Sequence, residues 1–561
     1  MSYLNDGGVS TVWRSLILSA VLLGELQYHD SARVAVIADV YAAADDTGLR
    51  AQALVALILS IYKRHSSQIE KSITDRLKLL SDKESWHSEL REANIELIRT
   101  SDTRRISRQM RDEIIPSMMD MRPEIMKRFE DMNFDPADPE SLDINPEWEE
   151  ALRKSGLLDK IKEMSELQSE GADVFMSTFA HLKNFAFFHQ PAGWFTPFDP
   201  ESSIVRRVTA DNDVVARSIA SLPFLCDSDK YSLALSIDQI PQQQRKMMFE
   251  QLDAQRSQFY EAMNEANKTA ADDFRLQVRR YLQNIYRFLE LFRRKAEFYN
   301  PFDSDFNIYT VKIFADALSD EEALRMTAEF YMKIKRWDDA EYIFGLLSDK
   351  LDGNDAAVWQ KIGFCHENNN KIEAAIEAYR HAEMLDSRSK WLWGRLYACY
   401  RAIEKYEKAL PYARQSVDEN SAQSVLKYGY ACLEANETEE ALNQFLRAEF
   451  MDESSQRPLR PIAWTYFLLG KYDRSSRYYE RIMAGKPTKG DYLNYGHLQL
   501  VSGNIRRAYE LYQQAYNNDR AWFVKQMSND ALTLQQLGLS PSTRLMIVDA
   551  VLYPRQQIPC P

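Results

Sequence analysis

A small residue followed four positions later by a large one recurs about every 34 residues between Glu321 and Trp522. The copies are Ala340 with Phe344, Ala375 with Tyr379, Ala409 with Ala413, Ala441 with Phe445, Ser475 with Tyr479 and Ala508 with Tyr512, the third being the weakest. The small residues are separated by 35, 34, 32, 34 and 33 positions. Such a long period is typical of a repeat protein whose units stack on their neighbours. The pattern therefore predicts an all-α solenoid of helical hairpins.

The second copy shows how one unit would pack. Trp359, Ile362 and Gly363 fall on one face of a first helix, and Ala375 and Tyr379 fall on one face of a second. The small side chains let two antiparallel helices approach closely, and the large ones fill the remaining volume. We therefore expect each period to be one hairpin of two helices.

This pattern resembles the tetratricopeptide repeat (TPR), which has Trp-x2-Leu-Gly-x2-Tyr in its first helix and Ala-x3-Phe in its second. Here Ile362 stands for the leucine and Tyr379 for the phenylalanine, while Gly429 and Gly496 supply the glycine in other copies. Six TPR-like repeats begin near residues 321, 356, 390, 422, 456 and 489, and together they cover about 200 of the 561 residues. The resemblance implies that the first helices line a concave groove that binds a partner.

Transferring the groove positions of TPR arrays to this sequence gives a candidate binding site. The predicted groove residues are Lys361, Phe364, Trp391, Arg395, Arg401, Lys427, Tyr430, Arg460, Trp464, Phe467 and His497. A basic and aromatic groove suits an acidic, partly apolar peptide or a C-terminal carboxylate. The alternative is that these side chains are solvated or pair with nearby acids. The lysine and asparagine clamp of chaperone-binding TPR domains is absent, because its positions hold Gln360 and Phe364.

A second, weaker repeat lies near the start of the chain. The stretch from Arg14 to Leu23 matches the stretch from Arg50 to Leu59 at an offset of 36 residues. It resembles HEAT-type helical hairpins and predicts an N-terminal helical, HEAT-like region over residues 1–132. The apolar run from Val12 to Leu23 is too short to cross a bilayer, so we expect a buried helix and no membrane span.

The remaining segments complete the predicted domain organisation. An acidic, proline-containing linker spans 133–147, a middle helical region 148–320, the TPR array 321–522, and capping helices with a tail 523–561. Residues 185–200 hold six aromatic residues and three prolines, so they form either a rigid core segment or an exposed docking loop. Pro541 follows Ser540 and predicts the start of a capping helix.

Two arginine clusters lie before the array. The first is a stripe of Arg280, Arg287 and Arg294 on a helix predicted over 272–298. The second comprises Arg104, Arg105, Arg108 and Arg111. Basic helix faces can bind nucleic acid or membranes, but such faces also pair with nearby acids. The formal net charge of −13 argues against broad nucleic-acid binding.

The sequence offers no catalytic motif. It has no phosphate loop, HExxH, GxSxG, GxGxxG or EF-hand pattern, and its five cysteines form no CxxC pair. We therefore predict a cytoplasmic protein–protein interaction scaffold or adaptor, not an enzyme, with no cofactor or metal and with a protein or peptide partner in the TPR groove. The alternative is a regulatory helical-repeat protein that contacts nucleic acid or another anionic partner through its Arg-rich helix faces.

Overall fold

The computed structural model describes residues 8–63, 71–109, 111–112, 173, 176–209, 212–222, 225–241, 243–245, 273–304, 306–385 and 388–553. All regular secondary structure in these residues is helical, which confirms the predicted all-α class. The chain forms two compact units, Met1–Thr327 and Ala328–Pro561. The predicted linker at 133–147 and most of the helical stretch that follows it lie outside the described residues.

The first unit is built from twelve described helices and the start of a thirteenth. They are α1 (Thr11–Gln27), α2 (Ser31–Ala43), α3 (Thr47–Tyr62), α4 (Lys71–Ser81), α5 (Glu84–Gln109), α6 (Met176–Phe179), α7 (Ala192–Phe195), α8 (Ser203–Val208), α9 (Asp213–Ser221), α10 (Asp227–Ile237), α11 (Phe274–Leu291), α12 (Lys312–Ala317) and α13 (Glu321–Lys333). Short 3-10 helices occupy Ala180–Asn184, Ala186–His189, Lys295–Glu297 and Ile308–Thr310.

Helix α11 forms the centre of the first unit. Its apolar seam, which includes Val278, Leu282, Ile285 and Leu289, is buried. The helix packs against α3 and α5, which come from the predicted N-terminal region. The regions predicted over 1–132 and 148–320 therefore share one core, and the HEAT resemblance of α1–α4 stays a prediction.

The aromatic and proline-rich segment at 185–200 belongs to this core. Phe188, Trp194 and Phe195 are buried, and the Trp194 indole Nε1 donates a hydrogen bond of 2.9 Å to the Phe188 carbonyl. A Cβ at Gly193 would lie 2.2 Å from the carbonyl oxygen of Phe187, so only glycine fits there. The interpretation as a core segment is confirmed for these residues.

A buried charge network joins α11 to two other parts of the first unit. The Arg287 guanidinium lies 2.6 Å from the Asp173 carboxylate and 2.6 Å from the Asp229 carboxylate. The Lys183 ammonium lies 2.8 Å from Asp229. Burial alone raises the pKa of the Asp229 carboxyl, but Arg287 and Lys183 outweigh that effect and hold its pKa below the usual value. The two cations and two carboxylates balance each other in the core.

The second unit is a row of six helical hairpins closed by three further helices. After α13, the hairpin helices are α14 (Trp337–Lys350), α15 (Ala356–Asn368), α16 (Ile372–Met384), α17 (Lys390–Ala402), α18 (Tyr406–Ser416), α19 (Ala422–Glu434), α20 (Thr438–Met451), α21 (Leu459–Leu468), α22 (Tyr472–Met483), α23 (Lys489–Val501) and α24 (Ile505–Asn518). The closing helices are α25 (Arg520–Asn529), α26 (Ala531–Gln536) and α27 (Pro541–Leu552).

Three of the six hairpins show the close helix contact that the sequence pattern predicts. The small residues of the pattern are all buried on the second helices. A Cβ at Gly363 on α15 would lie 2.6 Å from the ring of Tyr379 on α16, and Gly429 and Gly496 stand equally close to Phe445 and Tyr512. The aromatic ring of the second helix therefore packs directly on the bare backbone of the first.

Every hairpin turns through one residue in the left-handed conformation, five positions before the small residue. These residues are Lys335, Asn370, Glu404, Asn436, Gly470 and Gly503, with φ between 58° and 83°. The following amide then bonds back to the carbonyl five residues earlier, as from Lys371 to His366 at 2.8 Å. This is the Schellman geometry that ends a helix and satisfies its last carbonyls.

The C-terminal helices cover the last repeat. The Ser540 side chain caps α27 by accepting a hydrogen bond of 3.1 Å from the Thr543 amide. Ile547 and Val551 on α27 join the buried cluster that contains Tyr512 and Ala515 of the sixth hairpin. The predicted capping helix therefore lies where an exposed apolar end would otherwise remain.

Replacing Gly363 with alanine is expected to destabilise the second unit by about 1–3 kcal/mol, because the new methyl group meets the buried Tyr379 ring. Gly394, on α17, is the matched control, since a Cβ there meets no heavy atom within 4 Å. Gly394→Ala should stabilise the protein by about 0.5–1 kcal/mol. Urea unfolding of both variants checks this, and shifts of equal sign would contradict the packing.

Asp229→Asn is expected to cost about 3–5 kcal/mol, because it leaves the buried Arg287 and Lys183 with one carboxylate. Asp213→Asn is the control, since Asp213 pairs with Arg217 at an exposed position and its loss should cost at most about 1 kcal/mol. Because the native pKa of Asp229 is lowered, its stabilisation is present above about pH 4 and is lost as the pH falls further. Urea unfolding between pH 3 and pH 7 should therefore show a shallower acid dependence for Asp229→Asn, and an unchanged slope would refute the assignment.

Candidate functional site

The predicted groove residues all lie on the first helices of the hairpins. They are Lys361 and Phe364 on α15, Trp391, Arg395 and Arg401 on α17, Lys427 and Tyr430 on α19, Arg460, Trp464 and Phe467 on α21, and His497 on α23. Each of these first helices packs on the second helix of its hairpin. We call this set the first-helix row.

Most cations of the first-helix row pair with an acid on the neighbouring repeat. Lys361 pairs with Glu329, and the other distances are 2.9 Å from Arg395 to Glu367, 2.7 Å from Arg401 to Glu434 and 2.8 Å from Arg460 to Asp491. Each pair joins two successive first helices. The basic ladder that the sequence predicts is therefore largely neutralised within the protein.

The Asp491 carboxylate, which pairs with Arg460, accepts more hydrogen bonds than the acids of the other pairs. The Asp491 carboxylate accepts three hydrogen bonds from the guanidinium, at 2.8, 3.1 and 2.9 Å. It also accepts a hydrogen bond of 2.8 Å from the Thr488 amide in a capping box at the start of α23. One buried carboxylate thus caps the sixth repeat and links it to the fifth.

Lys427 differs from the other cations of the row. Its side chain is exposed, and it forms no ion pair with any carboxylate in the part of the chain that the structure describes. It shares one face of α19 with Tyr430, three residues further on. Among the described residues, Lys427 is therefore the cation of the row that is exposed and not paired with a carboxylate.

Phe364 and Trp391 form an aromatic platform on α15 and α17. The Arg395 guanidinium lies 5.0 Å from the centre of the Phe364 ring and 5.8 Å from the centre of the Trp391 ring. The Trp391 ring also meets Tyr379 edge to face at 6.0 Å. Trp391 nevertheless remains 46% exposed. The platform is therefore a fixed aromatic surface, because cation–π and edge contacts orient its rings.

Two further aromatic residues of the row continue this surface. Tyr430 is 43% exposed and stands edge to face on Phe445 at 5.1 Å. Burial raises the pKa of the Tyr430 phenol, so its hydroxyl stays neutral and can donate a hydrogen bond. Trp464 is half-buried, with its ring centre 5.2 Å from that of Phe467.

Phe467 and His497 do not contribute to an open surface, and this corrects the sequence prediction. Both are fully buried. Phe467 belongs to a core cluster that includes Leu534 of α26. His497 lies 2.8 Å from the Tyr512 hydroxyl and 3.2 Å from the Asp530 carboxylate. The residues after the array cover this end of the row, so its accessible part is formed by repeats two to five.

The arginine clusters of the first unit are largely paired. Arg287 is buried in the charge network, and Arg294 pairs with Glu297 at 2.7 Å. Arg104 lies 2.6 Å from Glu290, and Arg105 lies 2.7 Å from Asp102. Arg108 and Arg111 are exposed. The stripe at 280–294 is therefore not a continuous basic surface.

The described residues contain no group of three or more His, Cys, Asp or Glu side chains arranged to hold a metal ion. The cysteines at 226, 365, 399 and 432 are buried, and burial raises the pKa of the Cys365 and Cys399 thiols to about 12. Such thiols are poor nucleophiles. None of the described helices combines the length and the apolar character needed to cross a membrane.

Several solved structures of helical-repeat length resemble part of this chain. MamA from Desulfovibrio magneticus RS-1 is 14% identical, with a TM-score of 0.26, over 29% of this chain and 93% of MamA. YrrB, a TPR protein, is 16% identical, with a TM-score of 0.28, over 31% of this chain and 90% of YrrB. PilF from Pseudomonas aeruginosa is 14% identical, with a TM-score of 0.27, over 37% of this chain and 97% of PilF.

No family model and no curated protein matches the chain. The repeat contacts described above therefore define the class: the second unit is a TPR-like α-solenoid.

A double-mutant cycle on Arg460 and Asp491 is expected to give a coupling energy of about 1 kcal/mol, because a partly buried carboxylate receives bidentate hydrogen bonds. The cycle on Arg401 and Glu434, which are more exposed, should give about 0.5 kcal/mol. Urea unfolding of the single and double alanine variants measures both. Zero coupling in both cycles would show that the row is not neutralised by these pairs.

Proposed function

We propose that the protein is a cytoplasmic interaction scaffold that holds an extended peptide segment of a partner protein on repeats two to five. The observation that carries this proposal is the presence of two large exposed rings, Trp391 and Tyr430, on successive first helices. Exposed tryptophan and tyrosine residues are enriched among the side chains that dominate binding energy at interfaces. Both rings belong to the same row of a solenoid, a fold that provides extended binding surfaces.

The platform is organised before any partner binds. Arg395 is fixed by Glu367 on one side and by the Phe364 and Trp391 rings on the other. A partner that packs on Trp391 would therefore lose little side-chain entropy on the scaffold side. Aromatic packing, rather than a run of charges, then supplies most of the affinity.

The open charge of Lys427 sets the second requirement on the partner. Because Lys361, Arg395, Arg401 and Arg460 already have acidic neighbours, a strongly acidic peptide would compete with those carboxylates. A single acidic residue that reaches Lys427 meets no such competition. We infer a peptide with an apolar or aromatic side chain for the platform and one acidic side chain for Lys427.

The described cysteines lend no support to a catalytic role. The buried, high-pKa thiols suit a reducing compartment and offer no reactive nucleophile. The nucleic-acid alternative is weakened, because Arg104, Arg105, Arg287 and Arg294 are engaged in ion pairs and only Arg108 and Arg111 of the two predicted clusters are described as exposed without one.

Selection from a random peptide display library on the full chain tests the proposal. The recovered peptides should share an apolar or aromatic residue and one acidic residue. Trp391→Ala should weaken their binding at least about tenfold, as loss of an interface anchor costs more than about 1.4 kcal/mol. Tyr342→Ala is the matched control, because Tyr342 is an exposed aromatic residue on the second helix α14, outside the row. Equal losses in both variants would contradict the site.

A charge exchange tests the role of Lys427. Lys427→Glu should weaken the selected peptides, and a peptide whose acidic residue is changed to lysine should recover binding to that variant. Lys361→Gln should leave binding unchanged, because Glu329 already neutralises Lys361. Thermal unfolding of each variant shows that the fold is intact. The absence of any recovery by the exchanged peptide would overturn the assignment.

A further inference from the structure

A pocket of about 610 Å³ lies within the first unit. Its walls come from α4, the start of α5 and α12. It is lined by Thr74, Leu77, Lys78, Ser81, Trp86, His87, Lys312, Ile313, Phe314, Asp316 and Ala317. Its volume lies in the range of about 300–1,000 Å³ that is usual for small-molecule sites.

The apolar lining of the pocket is provided by side chains fixed in the core. Leu77, Trp86 and Phe314 are almost fully buried. The Trp86 ring is held edge to face against Tyr41, with 5.5 Å between the ring centres. Ile313 and Ala317 add partly exposed apolar surface to this lining, which suits the apolar body of a ligand.

Two lysines from different helices line the same pocket. Lys78 is on α4 and Lys312 begins α12, and both side chains are exposed. Neither forms an ion pair with a carboxylate among the described residues. Asp316 is the acidic residue of the lining, so the lining carries more positive than negative charge.

The walls are tied together independently of any ligand. The His87 Nδ1 lies 3.0 Å from the Ala317 carbonyl oxygen, which can only accept, so this nitrogen carries a proton and donates it. Arg91 pairs with Asp320 at 3.5 Å and with Glu322, and the Asn94 amide donates to Thr327 at 3.1 Å. These contacts fix α5 against the segment that follows α12, so the pocket is largely preformed.

We propose that this pocket binds a small amphipathic carboxylate, with its apolar body on Leu77, Trp86 and Phe314 and its carboxylate between Lys78 and Lys312. A neutral apolar ligand would leave the two lysines without a counter-ion, and a strongly hydrophilic anion would leave the apolar floor uncovered. An apolar body with a single anionic end satisfies both features. The pocket and the first-helix row are separate sites, so this inference does not depend on the proposed function.

Calorimetric titration of the full chain with decanoate and with decanol tests the proposal. Decanoate should bind, and the Lys78→Gln/Lys312→Gln variant should bind it about five- to tenfold more weakly, as expected for two exposed charge contacts. Decanol, which has the same apolar body and no charge, should bind the protein and the variant equally. The decanoate affinity should also fall with added salt, because exposed charges are screened.

Two controls separate the pocket from unspecific effects. Lys486→Gln/Lys525→Gln removes two exposed lysines of the second unit and should leave decanoate affinity unchanged. Ala317→Leu should reduce the affinity for both ligands, because the larger side chain fills the pocket that Ala317 lines. Undiminished decanoate binding in the double lysine variant, or no binding of either ligand to the unaltered chain, would overturn the proposal.

Discussion

The contact between the backbone of a glycine and an aromatic ring determines how the helices pack in three hairpins of the second unit. Tyr379, Phe445 and Tyr512 each pack on a glycine of the preceding helix, at Gly363, Gly429 and Gly496. This contact sets the distance between the two helices of a hairpin. It also decides which face of each of these first helices is buried against the second helix. The exposure of Trp391, Tyr430 and Lys427 in the first-helix row therefore depends on where the small and large residues occur in the sequence.

In the third repeat, a large side chain still fills the space between the two helices, but it comes from the first helix instead of the second. Ala413 replaces the aromatic residue there, and Tyr397 occupies the position that holds glycine in the second repeat. Tyr397 packs against the cluster that contains Ala409. The fold was predictable because both helices of each hairpin repeat in register. The left-handed turn residues recur at the same intervals as the small anchors, but they share no residue type, so the pattern did not identify them.

Other features depend on contacts that a local pattern does not contain. Arg287 meets Asp173 and Asp229 across 114 and 58 residues, so neither its burial nor its pairing follows from the arginine spacing on α11. The acids that pair with the cations of the first-helix row lie on neighbouring repeats. Phe467 and His497 occupy groove positions in sequence, but helices outside the repeat cover them. The repeat period identifies the row without showing which part of it stays open.

The ion pairs of the first-helix row also determine what a substitution there would change. In a solenoid, each repeat is stabilised chiefly by its nearest neighbours, so an ion pair between successive first helices contributes to the stack itself. A substitution at Arg395 or Arg460 therefore alters repeat coupling together with any partner contact. Lys427 joins no such pair within the described residues, so its charge does not hold two repeats together. Binding and stability are separable at this residue, whereas they are linked at its paired neighbours.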